Sequence, residues 1–475
     1  MLDINSSGEA ATAPSSREEG TVQKPEATIN SLPDLVLGNL FKYLYWKEKI
    51  LAVEAIPSWG RILESSLGWE TFENDRKYAH YHQVLGSSHY IFEEITCIAQ
   101  YGFYFSHVII WIQNFIPTDS PIETDFALLR AVEMHCPRLK SLTVYHPPNL
   151  SSSAITMSYV QYIEPLQNIL ASEANVRLGL CRLLYSSVEA NTGAVDLLYF
   201  YRVHNLLQKV TLLDFSHGLI LASNVSALHL LSECHSLEVL KCPVQNLTTQ
   251  LIQQLLDFNL QELYLVNDEH TLNLHYVEKD HISWPVLKTR PGRRFEVHYI
   301  FRNRAVCPGH MCLNPFAQTL VFDSLCSSVS RAMLRCVADL YGDTLQCLAF
   351  ILSVWEPHVP FSDLEDLTSN FQYMATRLKK LRFALLNLVI PSDALLSLAT
   401  HAPSLVKLLV YEHKIFFGGK VAITPDEISD LQFKVSTALG HPWTAIKQDE
   451  NLYQLTECRQ AMLFEESVAL WEGFW

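Results

Sequence analysis

Residues 31–69 read SLPDLVLGNLFKYLYWKEKILAVEAIPSWGRILESSLGW and set the expectations for the whole chain. Their apolar side chains fall at spacings that predict three short helices: Leu32, Pro33, Leu37, Leu40, Phe41, Leu44, Ile50, Val53, Trp59, Leu67 and Trp69. A module of about 40 residues cannot usually bury that much apolar surface by itself. We therefore expect it to contact either the next domain or another protein.

The first of these helices has both a start signal and an apolar stripe. Ser31 is a suitable N-cap, and Pro33 and Asp34 are favourable residues for a first turn. Four large side chains follow at i, i+3, i+4 and i+7, namely Leu37, Leu40, Phe41 and Leu44. The pattern predicts that this stripe is left bare by the module and covered by a foreign subunit, the alternative being an ordinary amphipathic helix of a globular domain.

The order of the motif residues resembles the F-box, by which substrate receptors bind the Skp adaptor of SCF-type cullin ubiquitin ligases. The resemblance covers residues 30–72 and rests on Leu32-Pro33-Asp34, Leu40-Phe41, Tyr43-Leu44, Ile50, Trp59 and Trp69. It implies the following adaptor-binding residues: Leu32, Pro33, Leu37, Leu40, Phe41, Leu44, Ile50 and Trp59. The chain departs from the family pattern at Leu35, Lys49, Ala55, Ile56 and Pro57, which bears on adaptor affinity.

Composition limits the remaining function classes. The 475 residues are 49% hydrophobic and 18% charged, which predicts a folded chain, and the net charge of −15 argues against nucleic-acid binding. The 11 cysteines follow no regular pairing and are typical of reduced cytosolic or nuclear thiols. Without a signal-peptide core or a run of about 18 apolar residues, the sequence predicts no membrane contact and a cytoplasmic or nuclear location.

A short pattern, apolar-x-x-apolar-x-apolar, recurs through the middle of the chain. Its clearest copies begin at Leu139, Leu237, Leu260, Leu345, Leu378 and Leu405, and weaker copies begin at Leu178, Leu207, Phe295 and Ala317. Helix-like segments follow some copies, as at residues 248–258 and 392–399. Most intervals between copies are close to the 20 to 29 residues of leucine-rich repeats, which this region resembles.

We therefore predict an α/β repeat fold in which a three-helix F-box precedes an irregular leucine-rich-repeat solenoid. Parallel strands would line its concave face and helices its convex face. The predicted organisation is a disordered arm at 1–29, the F-box at 30–72, a linker or first helical cap at 73–100, the solenoid at 101–417 and a C-terminal cap or acidic tail at 418–475. An ordinary α/β domain is the alternative, but neither G-x-G-x-x-G nor G-x-x-x-x-G-K occurs among the 17 glycines.

The sequence offers little evidence of chemistry. Cys307, His310 and Cys312 supply three of the four ligands of a structural zinc site, and a fourth could come only from a distant residue such as Cys326, so no metal is predicted. The chain contains no G-x-S-x-G and no H-E-x-x-H, and we expect no catalytic residue and no cofactor. A basic cluster stands out, and its arginines are candidates for binding an acidic or phosphorylated client: Arg290, Arg293, Arg294 and Arg302.

Together these features predict a non-catalytic substrate-recognition subunit of an SCF-type ubiquitin ligase. The F-box would bind the Skp adaptor, and through it cullin and RING subunits, and the repeats would bind a client protein. A repeat scaffold that binds partners without ubiquitination is the first alternative. An α/β enzyme with an incidental F-box-like helix is the second.

Overall fold

The structure is a computed structural model of the chain, and it describes the residues that follow: 32–74, 88–111, 121–146, 164–171, 175–180, 202–203, 205–214, 229–243, 247–268, 282–284, 287, 292, 294–302, 316–324, 331–352, 361–418 and 424–447. The chain divides into two compact units between Trp69 and Glu70. The predicted disordered arm at 1–29 lies outside the described residues, and so does the part of the predicted cap or acidic tail at 418–475 that follows Lys447.

The first unit contains the three predicted short helices, α1 (Asp34–Phe41), α2 (Trp46–Ala55) and α3 (Gly60–Leu63). Pro57 does not interrupt α2, which ends two residues earlier, and instead begins a 3-10 turn, Pro57–Trp59, that leads into α3. Asp34 lies in the first turn of α1, where its charge favours the positive end of the helix dipole. Its carboxylate also accepts a hydrogen bond from Arg61 Nε of α3.

The second unit is built on one parallel sheet whose strands follow each other in sequence order. Its strands are β1 (Thr71–Glu73), β2 (His107–Trp111), β3 (Ser141–His146), β4 (Asn175–Leu180), β5 (Val210–Asp214), β6 (Val239–Pro243), β7 (Glu262–Asp268), β8 (Glu296–Arg302), β9 (Thr319–Ser324), β10 (Cys347–Leu352), β11 (Phe383–Asn387) and β13 (Lys407–Val410). A separate pair joins β12 (Ile390–Pro391) to β14 (Ile415–Phe416). The sheet begins at Thr71, and thus earlier than the predicted solenoid start at residue 101.

Helices connect several of these strands. They are α4 (Ser88–Tyr101), α5 (Pro121–His135), α6 (Thr249–Phe258), α7 (Arg331–Tyr341), α8 (Phe361–Arg377), α9 (Ser392–His401) and α10 (Pro425–Leu439). Thr248 caps α6, because its hydroxyl accepts the Leu251 N–H at 3.2 Å. Right-handed crossovers between strands that always advance in one direction place the connecting helices on the same face of the sheet.

The two faces of the sheet carry different residues. On one face, completely buried side chains form the main core, including a ladder of stacked rings from Phe301, Phe322 and Phe350 with centroids 5.1 and 4.9 Å apart. The alternate residues form a second apolar cluster, composed of strand residues only: Tyr264, Val266, Ile300, Val321, Ala349 and Leu385. The described helices contribute no residue to this cluster, so it lies on the face opposite the helices.

The predicted repeat copies locate most strands but misplace three. The weak copy at Leu178 begins too late, because Leu178 pairs with Val144 and is thus the last apolar position of its repeat. In the register of the sheet, Leu348 pairs with Ala384 and Phe350 with Leu386, so the repeat at β11 begins at Leu381 rather than at Leu378. The weak copy at Phe295 would direct His298 and Ile300 into the main core. The structure instead directs Val297 and Tyr299 there, because Val297 pairs with Leu263 and Tyr299 with Leu265.

The last strand of the sheet is closed by the segment that follows α10. Three carbonyl oxygens of the β13 region each have a nitrogen of this segment within hydrogen-bond distance. Val406 O lies 2.8 Å from His441 Nε2, Leu408 O accepts from Trp443 Nε1 at 2.7 Å and Val410 O accepts from the Ile446 N–H at 2.8 Å. Two side chains and one main-chain group thus satisfy an edge that would otherwise be open.

Candidate protein-binding site

Helix α1 has two apolar faces with different surroundings. Leu37 and Phe41 are completely buried within the first unit. On the other side, Val36 and Leu40 are exposed by 42% and 46%. Tyr43, in the turn after the helix, continues their i, i+4, i+7 spacing and is 81% exposed. This second stripe is the exposed apolar surface of the candidate site.

The buried face of α1 packs on the 3-10 turn, on α3 and on the segment after α3. The rings of Phe41 and Trp59 meet edge to face with centroids 5.9 Å apart, a favourable aromatic geometry. Gly38 lets the backbone of α1 approach the later segment closely, since a Cβ at this position would lie 2.9 Å from Leu67 Cβ. These contacts fix which side of α1 faces inward.

A buried lysine holds the end of the unit in place. Lys49 is 3% exposed, its Nζ donates to Gly68 O at 2.9 Å, and the same ammonium lies 4.9 Å from the ring centroid of Trp69. Trp69 in turn donates its indole N–H to Leu63 O at 2.9 Å. Lys49, one of the departures from the F-box pattern, therefore stabilises the unit from within and is not part of its surface.

The eight residues predicted to bind an adaptor divide by exposure. Leu40 and Pro33 are exposed, while Leu32, Leu44 and Ile50 are half-buried. The expectation that the stripe from Leu37 to Leu44 is bare is wrong for the two fully buried members, Leu37 and Phe41, and Trp59 is also buried. Phe41 and Trp59 pack edge to face in this interior. Any direct contact with a partner therefore falls to the five other predicted residues.

Several exposed apolar residues of the first unit were not predicted as site members. Leu35 and Leu51 are exposed by 65% and 60%, and Val36 and Tyr43 extend the stripe of Leu40. The i, i+4, i+7 spacing of Val36, Leu40 and Tyr43 could have indicated the exposed stripe. Leu37, Phe41 and Leu44 have the same spacing, however, so spacing alone does not show which set is exposed.

The arginine candidates are only partly described. Arg294 is exposed and forms an ion pair with Glu296 at the start of β8, so its charge is already matched by a carboxylate. Arg290 and Arg293 lie outside the described residues, and so does the side chain of Arg302. Anion binding by this group stays a prediction.

The face of the sheet opposite the helices carries a band of aromatic and charged side chains. Tyr264 and His298 stack across β7 and β8 with centroids 4.2 Å apart, and Lys241 Nζ lies 5.0 Å from the Tyr264 centroid. Burial lowers the pKa of His298 to about 3, with Lys241 and Arg294 acting in the same direction. The imidazole is thus neutral at physiological pH.

The described residues form neither a metal site nor a membrane-spanning helix. In that part of the chain no group of three His, Cys, Asp or Glu side chains is arranged to hold a metal ion, and Cys307, His310 and Cys312 fall outside it. No helix formed by the described residues has the length and apolar character needed to cross a bilayer.

Comparison with known proteins gives similarity to solved structures but no match to a family or to a curated sequence. A solved structure described as the crystal structure of the Rad7 and Elc1 complex in yeast is similar at a TM-score of 0.40 and 11% sequence identity, over 83% of this chain and 87% of that one. At these values the two folds are only loosely similar.

Proposed function

We propose that the chain is a substrate-recognition subunit of an SCF-type ubiquitin ligase. In this proposal residues 32–69 are an F-box that binds the Skp adaptor, and the parallel sheet with its helices is a leucine-rich-repeat-like solenoid that binds a client. The observation that carries the proposal is the exposed stripe of Val36, Leu40 and Tyr43 on a small, internally packed helical unit. Scattered exposed apolar residues are common, but three that follow one i, i+4, i+7 spacing through a helix and the turn after it are typical of a protein-binding surface.

The internal contacts of the unit support the same function. Because Phe41, Trp59 and Lys49 fix the backbone without using the exposed stripe, the stripe is presented on a preorganised surface. Preorganisation lowers the conformational entropy lost on binding and so favours affinity. The departures at Leu35 and Lys49 fit this arrangement, since Leu35 adds exposed apolar surface and Lys49 is internal.

The proposed chain performs no chemistry of its own. It would raise the effective concentration of a client near the conjugating enzyme that the ligase recruits. Its site of action would be the cytoplasm, the nucleus or both.

Titration of the purified chain with the purified Skp adaptor tests the docking step. The unmodified chain is expected to form a complex of one copy each, and the double variant Leu40→Asp with Tyr43→Asp is expected to lose it. Phe433→Asp is the matched control, because Phe433 is 72% exposed on α10 and lies in the second unit. Absence of a complex with the unmodified chain, or equal binding by the double variant, would refute the proposal.

A second measurement separates a ligase receptor from a scaffold that binds without ubiquitination. Proteins that co-purify with the chain are identified, and their abundance is compared in cells that express the unmodified chain or the double variant. A receptor predicts that a bound client accumulates when the docking stripe is altered. A scaffold predicts unchanged client abundance.

A further inference from the structure

Tyr43 is the most exposed member of the docking stripe and differs in this from the other tyrosines. It is 81% exposed, whereas every other tyrosine whose burial the structure describes is half-buried or buried. Tyrosine has an apolar ring and a polar hydroxyl, and folded proteins usually cover the ring. At position 43 both parts of the side chain are accessible from solvent.

The hydroxyl of Tyr43 is less engaged than those of two other tyrosines near the surface. Among the described residues, none forms a hydrogen bond with the Tyr43 hydroxyl. Two positions later, the half-buried Tyr45 accepts the Trp46 indole N–H at 2.7 Å. In α8 the Tyr373 hydroxyl donates to Asp339 Oδ1 at 2.7 Å. Only at Tyr43 is the phenol oxygen open to a reaction without the loss of such a contact.

The backbone around Tyr43 is a turn and not part of a helix. Helix α1 ends at Phe41 and α2 begins at Trp46. Between them the Tyr43 N–H donates to Leu40 O at 3.1 Å, a bond from residue i to residue i−3 that closes a single turn. A short turn has fewer backbone hydrogen bonds to open than a helix, so an enzyme that must enclose the side chain reaches it there at a lower cost.

From its exposure, its hydroxyl and its place in a turn, we infer that Tyr43 is a phosphorylation site that controls docking. A protein tyrosine kinase would transfer the γ-phosphoryl group of ATP to the phenol oxygen. The new bond joins this oxygen to phosphorus, the bond from phosphorus to the β-phosphate oxygen breaks, and ADP and the phenol proton are released.

The phosphate would change the docking stripe from apolar to charged at one end. Val36 and Leu40 lie seven and three residues before Tyr43, so a partner that covers both also meets the phenol. A phosphotyrosine carries a charge of about −1.5 to −2 near pH 7, and burial of that charge in an apolar interface is unfavourable. Phosphorylation should therefore weaken adaptor binding at least tenfold. This consequence rests on the proposed function, whereas the accessibility of Tyr43 to a kinase does not.

The first unit itself should tolerate the phosphate. Its interior contains Phe41 and Trp59, both buried, whereas Tyr43 lies outside it. The nearest cations in the sequence are Lys42 and Lys47, whose charges favour a phosphate in the same turn. Modification is thus expected to change binding without unfolding the unit.

Phosphorylation of the purified full chain tests the site. The chain is incubated with ATP and the catalytic domain of a broad-specificity tyrosine kinase, and the modified peptides are identified by mass spectrometry. Phosphate is expected at Tyr43 and not at Tyr45 or Tyr373, and an excess of the Skp adaptor should slow the reaction at Tyr43 at least tenfold. Absence of phosphate at Tyr43, or a faster reaction at Tyr45, would overturn the inference.

Site-specific incorporation of the modified residue tests the consequence. Calorimetric titration with the Skp adaptor should give a Kd at least tenfold higher for Tyr43→phosphotyrosine than for the unmodified chain, and alkaline phosphatase should restore the original value. The matched control, Tyr373→phosphotyrosine, places the same charge in the second unit and should bind with unchanged affinity. Equal affinity of the two variants would overturn the inference, and so would faster hydrogen exchange throughout residues 32–69 in the Tyr43 variant.

The two experiments separate this inference from the proposed function. If the unmodified chain does not bind the adaptor, the proposed function is refuted together with the role of Tyr43 in docking, and the kinase reaction on the free chain still decides whether Tyr43 is a modification site. If the unmodified chain binds the adaptor and the phosphate does not weaken the complex, the proposed function stands and this inference fails.

Discussion

Leu37 and Leu40 lie one turn apart on α1, and the structure predicts that their alanine substitutions have opposite consequences. Leu37 is completely buried, whereas Leu40 is 46% exposed. Leu37→Ala removes buried methyl groups and leaves a cavity, at a cost of about 2–5 kcal/mol in the free energy of unfolding. Leu40→Ala keeps helix propensity and removes a half-exposed side chain, so its expected cost is below about 1 kcal/mol.

The effect on adaptor affinity has the reverse order once folding is accounted for. Complete burial of a leucine side chain is worth about 1.5–3 kcal/mol, and nearly half of that remains available at Leu40. Leu40→Ala should therefore weaken adaptor binding by about 0.7–1.4 kcal/mol, a roughly three- to tenfold rise in Kd. The fraction of Leu37→Ala that is folded should bind with nearly unchanged affinity.

Hydrogen exchange of peptides from residues 32–69 measures the local stability, and calorimetric titration with the Skp adaptor measures the affinity. Similar destabilisation by both substitutions would refute the assignment of the two faces of α1. An unchanged Kd for Leu40→Ala, measured on folded protein, would refute the docking stripe.

Three further predictions concern packing, the sheet edge and pH. Gly38→Ala adds a methyl group only 2.9 Å from Leu67 Cβ. Although alanine has the better helix propensity, this overpacking should lower the stability of the first unit by about 1–3 kcal/mol, as measured by thermal denaturation. Trp443→Phe removes the donor to Leu408 O and should speed amide exchange in residues 407–410, with a cost of about 1–3 kcal/mol; unaltered exchange would contradict the role of the indole. The pKa of His298 is lowered from 6.5 to about 3, so its contribution to stability is complete above pH 6.5 and is lost as pH falls toward 3, by at most about 1.4 kcal/mol per pH unit. His298→Phe should reduce this acid sensitivity between pH 7 and 5 in urea denaturation.

Where both faces of a strand are apolar, the recurring pattern does not decide the register: its copies are correct at β7, β9 and β10 and wrong at β8 and β11. It failed at β8 because Val297, Tyr299 and Ile300 are all buried, so the alternation that identifies the inward face is lost. The same reason explains the misplaced copy before β11, where Ala384, Leu385 and Leu386 are all buried. Apolar residues on the second face of a strand thus remove the alternation from which its register could be predicted.

The orientation of α1 could not be predicted from its own residues. Apolar side chains surround much of the helix, and Leu37 and Leu40 are equivalent by periodicity alone. The choice between them is made by Gly38, whose missing side chain admits Leu67 from 29 positions later. Contacts over that separation are not visible in a local pattern, although the presence of glycine within an apolar helix was a usable indication of close packing.

The sequential order of the sheet also determines how the chain can fold during synthesis. Each strand pairs with the one before it, and paired residues are separated by as few as 21 positions, His298 with Thr319, and by as many as 36, Thr71 with His107. A strand leaving the ribosome therefore finds its partner in the preceding few dozen residues, and no early strand must wait for a distant one. Pulling on the two ends of the sheet should consequently unravel it one strand at a time, in a series of small mechanical steps.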